Sequence, residues 1–518
     1  MVTRFVPAVV LGLALSACGS TVPLTSTTLL PGDGLSPSQQ SGPGGVTSGT
    51  AGTSTTGSVP GLGSTGASTG AGTGLGTGTA GSAASTAAPL ASQAETGLGV
   101  TAKTINVGIG YATDGDALNA AIGASGITTG DERANVQALI DEINAHGGIA
   151  GRKLVPVYYG YHVTSADTGS TQDAAACQQW TVDHRVLAVF SSNLTDTLPA
   201  CLKKAGVVWF KGGVIVDVDA TYLRQYSNEF LLSTMSIDRI FKDQVAALVR
   251  QSYFTGWNTV TGAPASTAAK LGVITFDTDS FDRGLRKVLL PQLAQAGHPV
   301  DPVNVIEVHR PEQESDAAGT AAQIKSATLR LQQDGVTHVV LGDAGGYILE
   351  VFGSNARSQG YYPRLGVTSG AGVQVLHDAG LVTDKQVRGL AGDGWLPTLD
   401  LLASDGGRYA TSETRRCLDI MKRRTGQTYT STNAATIALA DCDGMFLFTQ
   451  AMRHTTALTP AGLIGALEAI GSSFVSPLVP KAFVSPRQHD TAIRAWDLNW
   501  VQSCTCVRYS SPRDVPSA

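Results

Sequence analysis

Two spacings of apolar residues alternate along the chain beyond about Val100. Short, mostly apolar runs suited to buried strands, INVGIGY (105–111), KLVPVYYG (153–160), VLAVFSS (186–192) and VVWFKGG (207–213), are separated by stretches with helical spacing such as RANVQALIDEINAH and DAAACQQWTVDHR. Such alternation predicts an α/β fold. A second series begins near Ile237, with strands KLGVITFDT (270–278), VNVIEVHR and THVVLGDAGG between helices FKDQVAALVRQSY, DRGLRKVLLPQLAQAG, GTAAQIKSATLRLQQDG and YILEVFGSNARSQG. Two wound units in tandem predict two similar lobes. From about Thr368 the signals shorten; NAATIALADCDGMFLFTQAMRH and TPAGLIGALEAIG then predict two further helices, and WDLNWVQSCTCVRYSSP a strand ending in a cysteine-pinned tail.

One junction is unusually dense. In INAHGGIAGRKL (143–154) a helical run meets Gly-Gly, then another Gly, then a basic pair leading into a strand. Following the strand-like INVGIGY, it predicts a right-handed βαβ crossover.

The first hundred residues follow neither spacing. MVTRFVPAVVLGLALSAC has a basic start at Arg4, an apolar stretch from Phe5 to Leu15 and small residues before Cys18, the pattern of a secretory signal. Leu15-Ser16-Ala17-Cys18 matches the lipobox of bacterial lipoproteins, which predicts lipidation of Cys18. From Gly19 to about Gly99 the chain is nearly all Gly, Ser, Thr, Ala and Pro. That composition buries too little apolar surface to offset ordering, so a disordered tether is expected, with a mean reach of roughly 50 Å. Gly66-Ala67-Ser68-Thr69-Gly70 matches a hydrolase elbow only by accident, since no strand or helix flanks it. No later run approaches the roughly 18 unbroken apolar residues of a membrane span, so the expectation is a soluble body tethered to the membrane.

Charge is nearly balanced, 36 Lys+Arg against 41 Asp+Glu, without long blocks of either sign. This argues against nucleic acid or an anionic membrane surface as partner and for a small molecule. Export places the cysteines where disulfides persist. Beyond Cys18 there are six, and their order suggests Cys177 with Cys201, Cys417 with Cys442 and Cys504 with Cys506, or a rearrangement of these. The last pair would close a very short ring. Neither paired CxxC knuckles nor an HExxH helix is present, so no metal and no other cofactor is expected.

In open parallel sheets ligands bind beyond the carboxyl ends of the strands. Four such loops carry chemistry. In the first, Tyr111, Thr113 and Asp114 follow Gly108-Ile109-Gly110, but Thr113 stands where a dinucleotide fingerprint needs its third glycine. The second, Ser191, Ser192, Asn193, Leu194, Thr195 and Asp196, suits a carboxylate or another polar head group, or else caps the next helix. The third holds Asp277 and Phe281, the fourth Asp343 and Tyr347; their acids would meet a ligand cation and their aromatics wall a pocket, or the acids simply cap and solvate loops. Trp395, in GDGWLP, is a pocket wall or a packed aromatic. The nine histidines are scattered, with no nucleophile elbow and no carboxylate pair at strand ends, which favours binding over catalysis.

With these segments in view the chain resembles the type I periplasmic solute-binding proteins, in the leucine/isoleucine/valine-binding branch that serves ABC importers. Residues 143–154 look like that family's INAxGGIxGxKL signature. VLAVFSSN followed by LPACLKKAGV, VITFDTDSFDRGLRKVLLPQLAQAG and THVVLGDAGGYILEVFGSNARSQGY follow in family order, and the resemblance runs from about Thr104 to the end. It implies two Rossmann-like lobes joined by three crossing segments and closing by a hinge over a solute. Gly147 and Gly148 would end the helix in a left-handed cap and Gly151 would turn the chain into the next strand. The implied organisation is a signal peptide over 1–18, a linker over 19–100, the first lobe over 101–235, the second over 236–367, and 368–518 returning to the first lobe and the hinge.

By position, Ser191 to Thr195 would contact a solute's α-carboxylate and amine. The acid that meets the ammonium falls near Gly345 to Tyr347, where neither Glu nor Asp stands; Asp343 is the available substitute. The loop Gly212 to Val216 lacks the family's hydroxyl. These departures leave room for an amide, a carboxylate or an aromatic acid in place of an amino acid. The resemblance thus implies a monomeric, lipid-anchored, extracytoplasmic binding protein for an ABC permease, without enzymatic activity, or a sensor of the same fold signalling through a membrane partner.

Overall fold

The computed structural model describes residues 97–517, apart from 122–126, 166, 194, 213–216, 312–313 and 430–431. The signal, Cys18 and the tether lie outside the described residues, as does most of the loop Gly212 to Val216.

Strand β1 (Thr104–Ala112) pairs with β2 (Lys153–Tyr161) on one side and β3 (Ala188–Phe190) on the other; β4 (Val208–Lys211) and β5 (Glu229–Leu231) complete a parallel sheet in the order β2-β1-β3-β4-β5. Helices cover both faces, so β1 presents Ile105, Val107 and Ile109 to one core while Gly108 lets the Trp180 ring lie against the other side. A small hairpin, β6 (Trp257–Asn258) with β7 (Ala263–Pro264), precedes the second sheet. There β8 (Leu271–Phe276), β9 (Val305–Val308), β10 (His338–Gly342), β11 (Arg364–Thr368) and β12 (Ala391–Gly394) run parallel in the order β9-β8-β10-β11-β12. That is the order of the first sheet repeated, with every residue of β8 and β10 buried. Antiparallel β13 (Arg494–Val501) and β14 (Cys506–Asp514) extend it beyond β12.

The INAHGGIAGRKL junction is a structural device. The helix Glu132–Ala145 ends where Gly148 N–H donates to Ile143 O (2.9 Å), and Gly147 and Gly148 take φ of 91° and 72°. Ala150 and Gly151, both left-handed, then form a tight turn closed by Ile149 N–H to Arg152 O (2.8 Å), and β2 follows. Arg152 is buried in donating Nε to Thr101 O (2.7 Å), so the basic pair at the strand start is partly a packing element.

The chain passes between the sheets three times. The first crossing, Leu232–Ser236, is wholly buried and stitched to the last: Ser233 N–H donates to Thr491 Oγ1 (2.7 Å), Ala492 N–H to Thr234 O (2.9 Å), and Ser236 N–H to Asp490 (2.6 Å). Asp490 also pairs with buried Arg239 at 2.8 Å. The middle crossing follows β12, after which the helices Ser412–Thr425 and Thr432–His454 pack on Glu132–Ala145 of the first lobe. Residues 368–518 are thus divided: their long helices return to the first lobe, while β12, β13 and β14 belong to the second sheet. The WDLNWVQSCTCVRYSSP segment is a hairpin rather than a strand with a tail, because VRYSSPRD pairs back on β13 and the two cysteines sit at its turn.

Three disulfides join Cys177 to Cys201, Cys417 to Cys442 and Cys504 to Cys506. The first two each fasten one helix to the next within the first lobe. Among the described residues no helix is long and apolar enough to cross a membrane.

Candidate functional site

The order of both sheets reverses beside their first strands, β1 and β8, and the loops after these strands and their neighbours form the rims of two crevices. On the first rim, Tyr111 lies edge-on to Tyr158 with ring centroids 6.1 Å apart. Thr113 Oγ1 donates to Tyr161 O at 3.0 Å. Asp114 accepts the N–H groups of Val163 (2.8 Å) and Thr164 (3.1 Å) and the Thr164 hydroxyl. Partial burial raises its carboxyl, but those hydrogen bonds outweigh it and hold the group below the usual range. Asp114 therefore staples two loops together.

The serine loop is equally built in. Ser191 is buried and its hydroxyl donates to Ser192 O (2.5 Å), while exposed Ser192 donates to Gly212 O (3.0 Å). Thr195 gives both its N–H (2.7 Å) and its hydroxyl (2.9 Å) to Asp173. Asn193 donates to Thr195 O at 2.7 Å and keeps a buried Oδ1 without a hydrogen-bond partner, an acceptor at the rim of the crevice.

On the second rim Asp277 is exposed, 3.5 Å from His309 Nδ1. Phe281 is buried and packs edge-on against Phe276 at 5.6 Å. Asp343 accepts N–H from Ile348 (3.3 Å) and Leu349 (2.8 Å), so it caps the helix Tyr347–Ser358; burial pushes its carboxyl up to about 7 against those hydrogen bonds. Tyr347 donates its hydroxyl to Ala317 O at 2.7 Å, and burial pushes it up to about 12. Trp395 is completely buried, its N–H donating to Ser369 Oγ (2.8 Å) and its indole Nε1 lacking a partner. The structure brings Phe281, Asp343 and Trp395 together around one cavity of about 10 Å³, also lined by Phe241 and Thr368, with room for a single water.

Sequence reasoning missed the groups that join the rims. Lys211, at the end of β4, is 3% exposed and lies 2.5 Å from Asp217, whose other oxygen is 2.7 Å from Arg310 at the end of β9. Burial raises the Asp217 carboxyl, yet Lys211 and Arg310 overcome it and hold the group at about 2. Two residues on, Asp219 accepts Nε (2.6 Å) and Nη2 (3.0 Å) of Arg283, in the helix Asp279–Gly284 that follows β8. Loops at the carboxyl ends of both sheets therefore meet through two carboxylate–arginine contacts. Beneath Lys211, Glu229 on β5 is fully buried with both carboxyl oxygens unpartnered, and burial pushes it up to about 8. The available signal was a charged residue directly ending an apolar run, as in VVWFK and VIEVHR.

Among the described residues no group of three His, Cys, Asp or Glu side chains is placed to hold a metal ion. Two like sheets joined by three crossings thus bring their rims together at Asp217–Arg310 and Asp219–Arg283. The sequence model of the periplasmic binding protein family matches residues 105–499, most of the chain. The chain belongs to that family. Its fold is similar to that of several solved proteins. A possible leucine/isoleucine/valine-binding protein from Rhodopirellula baltica SH 1 is 15% identical, with a TM-score of 0.54, covering 79% of this chain and 96% of its own. A fatty acid ABC transporter substrate-binding protein from Thermomonospora curvata is 18% identical, with a TM-score of 0.54, covering 82% and 98%. An ABC transporter solute-binding protein from R. palustris in complex with 4-hydroxybenzoate is 14% identical, with a TM-score of 0.56, covering 80% and 98%. At these identities the likeness is one of fold, and no curated protein matches this family member.

Proposed function

We propose that this protein is an extracytoplasmic solute-binding protein, anchored to the bacterial cell membrane through a lipid on Cys18, that delivers its solute to an ABC importer. It acts as a monomer, with the Gly-rich segment as tether. The solute is small and polar, an amino acid or a related amide or carboxylate, and is held in the cleft between the lobes without bond making. Candidate contacts are Tyr111, Thr113, Ser191, Ser192, Asn193 and Thr195 from the first lobe and Asp277 and Tyr347 from the second; Phe281, Asp343 and Trp395, which close around room for a single water, reach a solute only where that cavity widens as the lobes open. The observation that carries the reading is the meeting of the two rims through Asp217–Arg310 and Asp219–Arg283, since a cleft closed by a few ion pairs is one that a ligand's extra contacts can bias. The solved relatives, named for leucine, a fatty acid and 4-hydroxybenzoate, support a solute with a carboxylate.

The test is a thermal-shift screen of the mature chain, stripped of bound solute, against amino acids, amides and organic acids. A ligand at a hundred times its dissociation constant adds about 2.7 kcal/mol of stability. Stabilisation by leucine, isoleucine or valine would support the amino acid role despite the acid missing at Gly345 to Tyr347; stabilisation by non-amino acids alone would make the altered loops the specificity change. Silence across the panel would favour a sensor. Incorporation of labelled fatty acid that Cys18→Ser abolishes would establish the anchor.

A further inference from the structure

The Cys504–Cys506 bridge sits at the turn of the β13–β14 hairpin and encloses a single residue, Thr505. The other two bridges span 24 and 25 residues and join helices. Because the stabilisation a bridge confers through the unfolded chain grows with the loop it closes, this one contributes least to folding. The residue it encloses, Thr505, sits at φ 48°, a left-handed conformation that is unfavourable for a β-branched residue. The hairpin does not depend on it. The ladder runs from Arg494 opposite Asp514 to Val501 opposite Cys506, and Val507 N–H donates to Gln374 Oε1 at 2.9 Å. Cys504 is half-buried, as is Cys201, while Cys506, Cys177, Cys417 and Cys442 are buried; what sets Cys504 apart is its place in a turn whose Gln502, Ser503 and Thr505 are all exposed. A bridge that adds little stability, encloses a left-handed β-branched residue and lies in an exposed turn is of the exchangeable kind.

We propose that Cys504–Cys506 is a thiol–disulfide exchange site for a dithiol reductant, distinct in reactivity from the two structural bridges. A thiolate of the dithiol attacks Cys504 Sγ, forming a mixed disulfide and breaking the Cys504–Cys506 bond; Cys506 leaves as a thiolate and takes up a proton. The second thiol of the reductant, deprotonated, then attacks its partner sulfur, releasing Cys504 as thiolate. Two electrons pass to the protein, and the reductant becomes a disulfide. The reduced hairpin stays folded, and Thr505 is freed from its left-handed conformation.

The experiment equilibrates the full chain with graded ratios of reduced to oxidised dithiothreitol, traps thiols with an alkylating agent and quantifies each cysteine peptide by mass spectrometry. The expected result is that Cys504 and Cys506 become alkylated at a ratio at least tenfold lower than either other pair, about 30 mV in midpoint, while the circular dichroism of the chain is unchanged. Thr505→Gly, which accepts positive φ freely, should move the midpoint severalfold toward stronger reductant, a shift that a purely structural bridge would not show. The proposal is overturned if this pair opens together with or after another, if its reduction unfolds the chain, or if Thr505→Gly leaves the midpoint unmoved.

Discussion

Replacing Asp217 by Asn removes the carboxylate that pairs with both Lys211 and Arg310 while keeping the shape of the side chain. The carboxyl is held at about 2. Against an unperturbed value of roughly 3.9, that depression corresponds to about 2–3 kcal/mol of stability at neutral pH. The variant also leaves Lys211, 3% exposed, as a buried cation without its closest partner. Removing one member of a buried pair commonly costs more than the pair itself contributes, so we expect a loss of about 3 kcal/mol at pH 7. The sign of the pH dependence is set by the direction of the shift. A depressed carboxyl contributes its stability fully above its unfolded value near 4 and loses it as pH falls toward 2. Urea denaturation of wild type and Asp217→Asn at pH 7, 4 and 2.5 measures the gap directly. A full gap at pH 7 that shrinks steadily below pH 4 is expected. A variant as stable as wild type at pH 7, or a gap undiminished at pH 2.5, would refute the assignment of Asp217 as a charged latch.

Arg310→Gln breaks the same contact from the second lobe while leaving Lys211 paired, so the fold should survive and the ligand-free lobes open, seen as a larger radius of gyration in solution scattering. Glu229→Gln should raise stability by about 2 kcal/mol at pH 7, because the acid must take up a proton on folding at any pH between its unfolded value and about 8; the advantage should vanish near pH 4, and equal pH profiles for the two proteins would contradict it. Gly148→Ala should destabilise by more than Gly147→Ala, since an added Cβ at Gly148 would lie 2.0 Å from Arg152 O while that at Gly147 meets nothing within 4 Å; thermal melts of the pair decide it. Phe281→Ala should cost about 3–5 kcal/mol through the cavity it leaves and weaken solute binding as well, measured by calorimetry.

The sequence by itself determined the kind of elements and most of their order. Apolar spacing reports which residues face a core, and in β8 and β10 every residue does, so KLGVITFDT and THVVLGDAGG were legible as buried strands. The glycines of INAHGGIAGRKL were legible for the same local reason, because a left-handed backbone needs them. The order of the cysteines along the chain suggested their pairs but left a rearrangement open, since only the fold decides which sulfurs meet. Strand pairing was not available in that way: the spacing of VRYSSPRD does not say that it returns along β13, because the partner that satisfies its backbone lies elsewhere. The site was less legible still. Asp343 and Asp114 were visible as acids at strand ends, but only folding decided that backbone N–H groups would occupy them. Asp217 and Arg310 stand 93 residues apart, and Asp219 and Arg283 64 apart, in different lobes. A spacing rule registers burial along one element, whereas the charge that makes such burial tolerable comes from across the cleft, and only the tertiary structure brings it there.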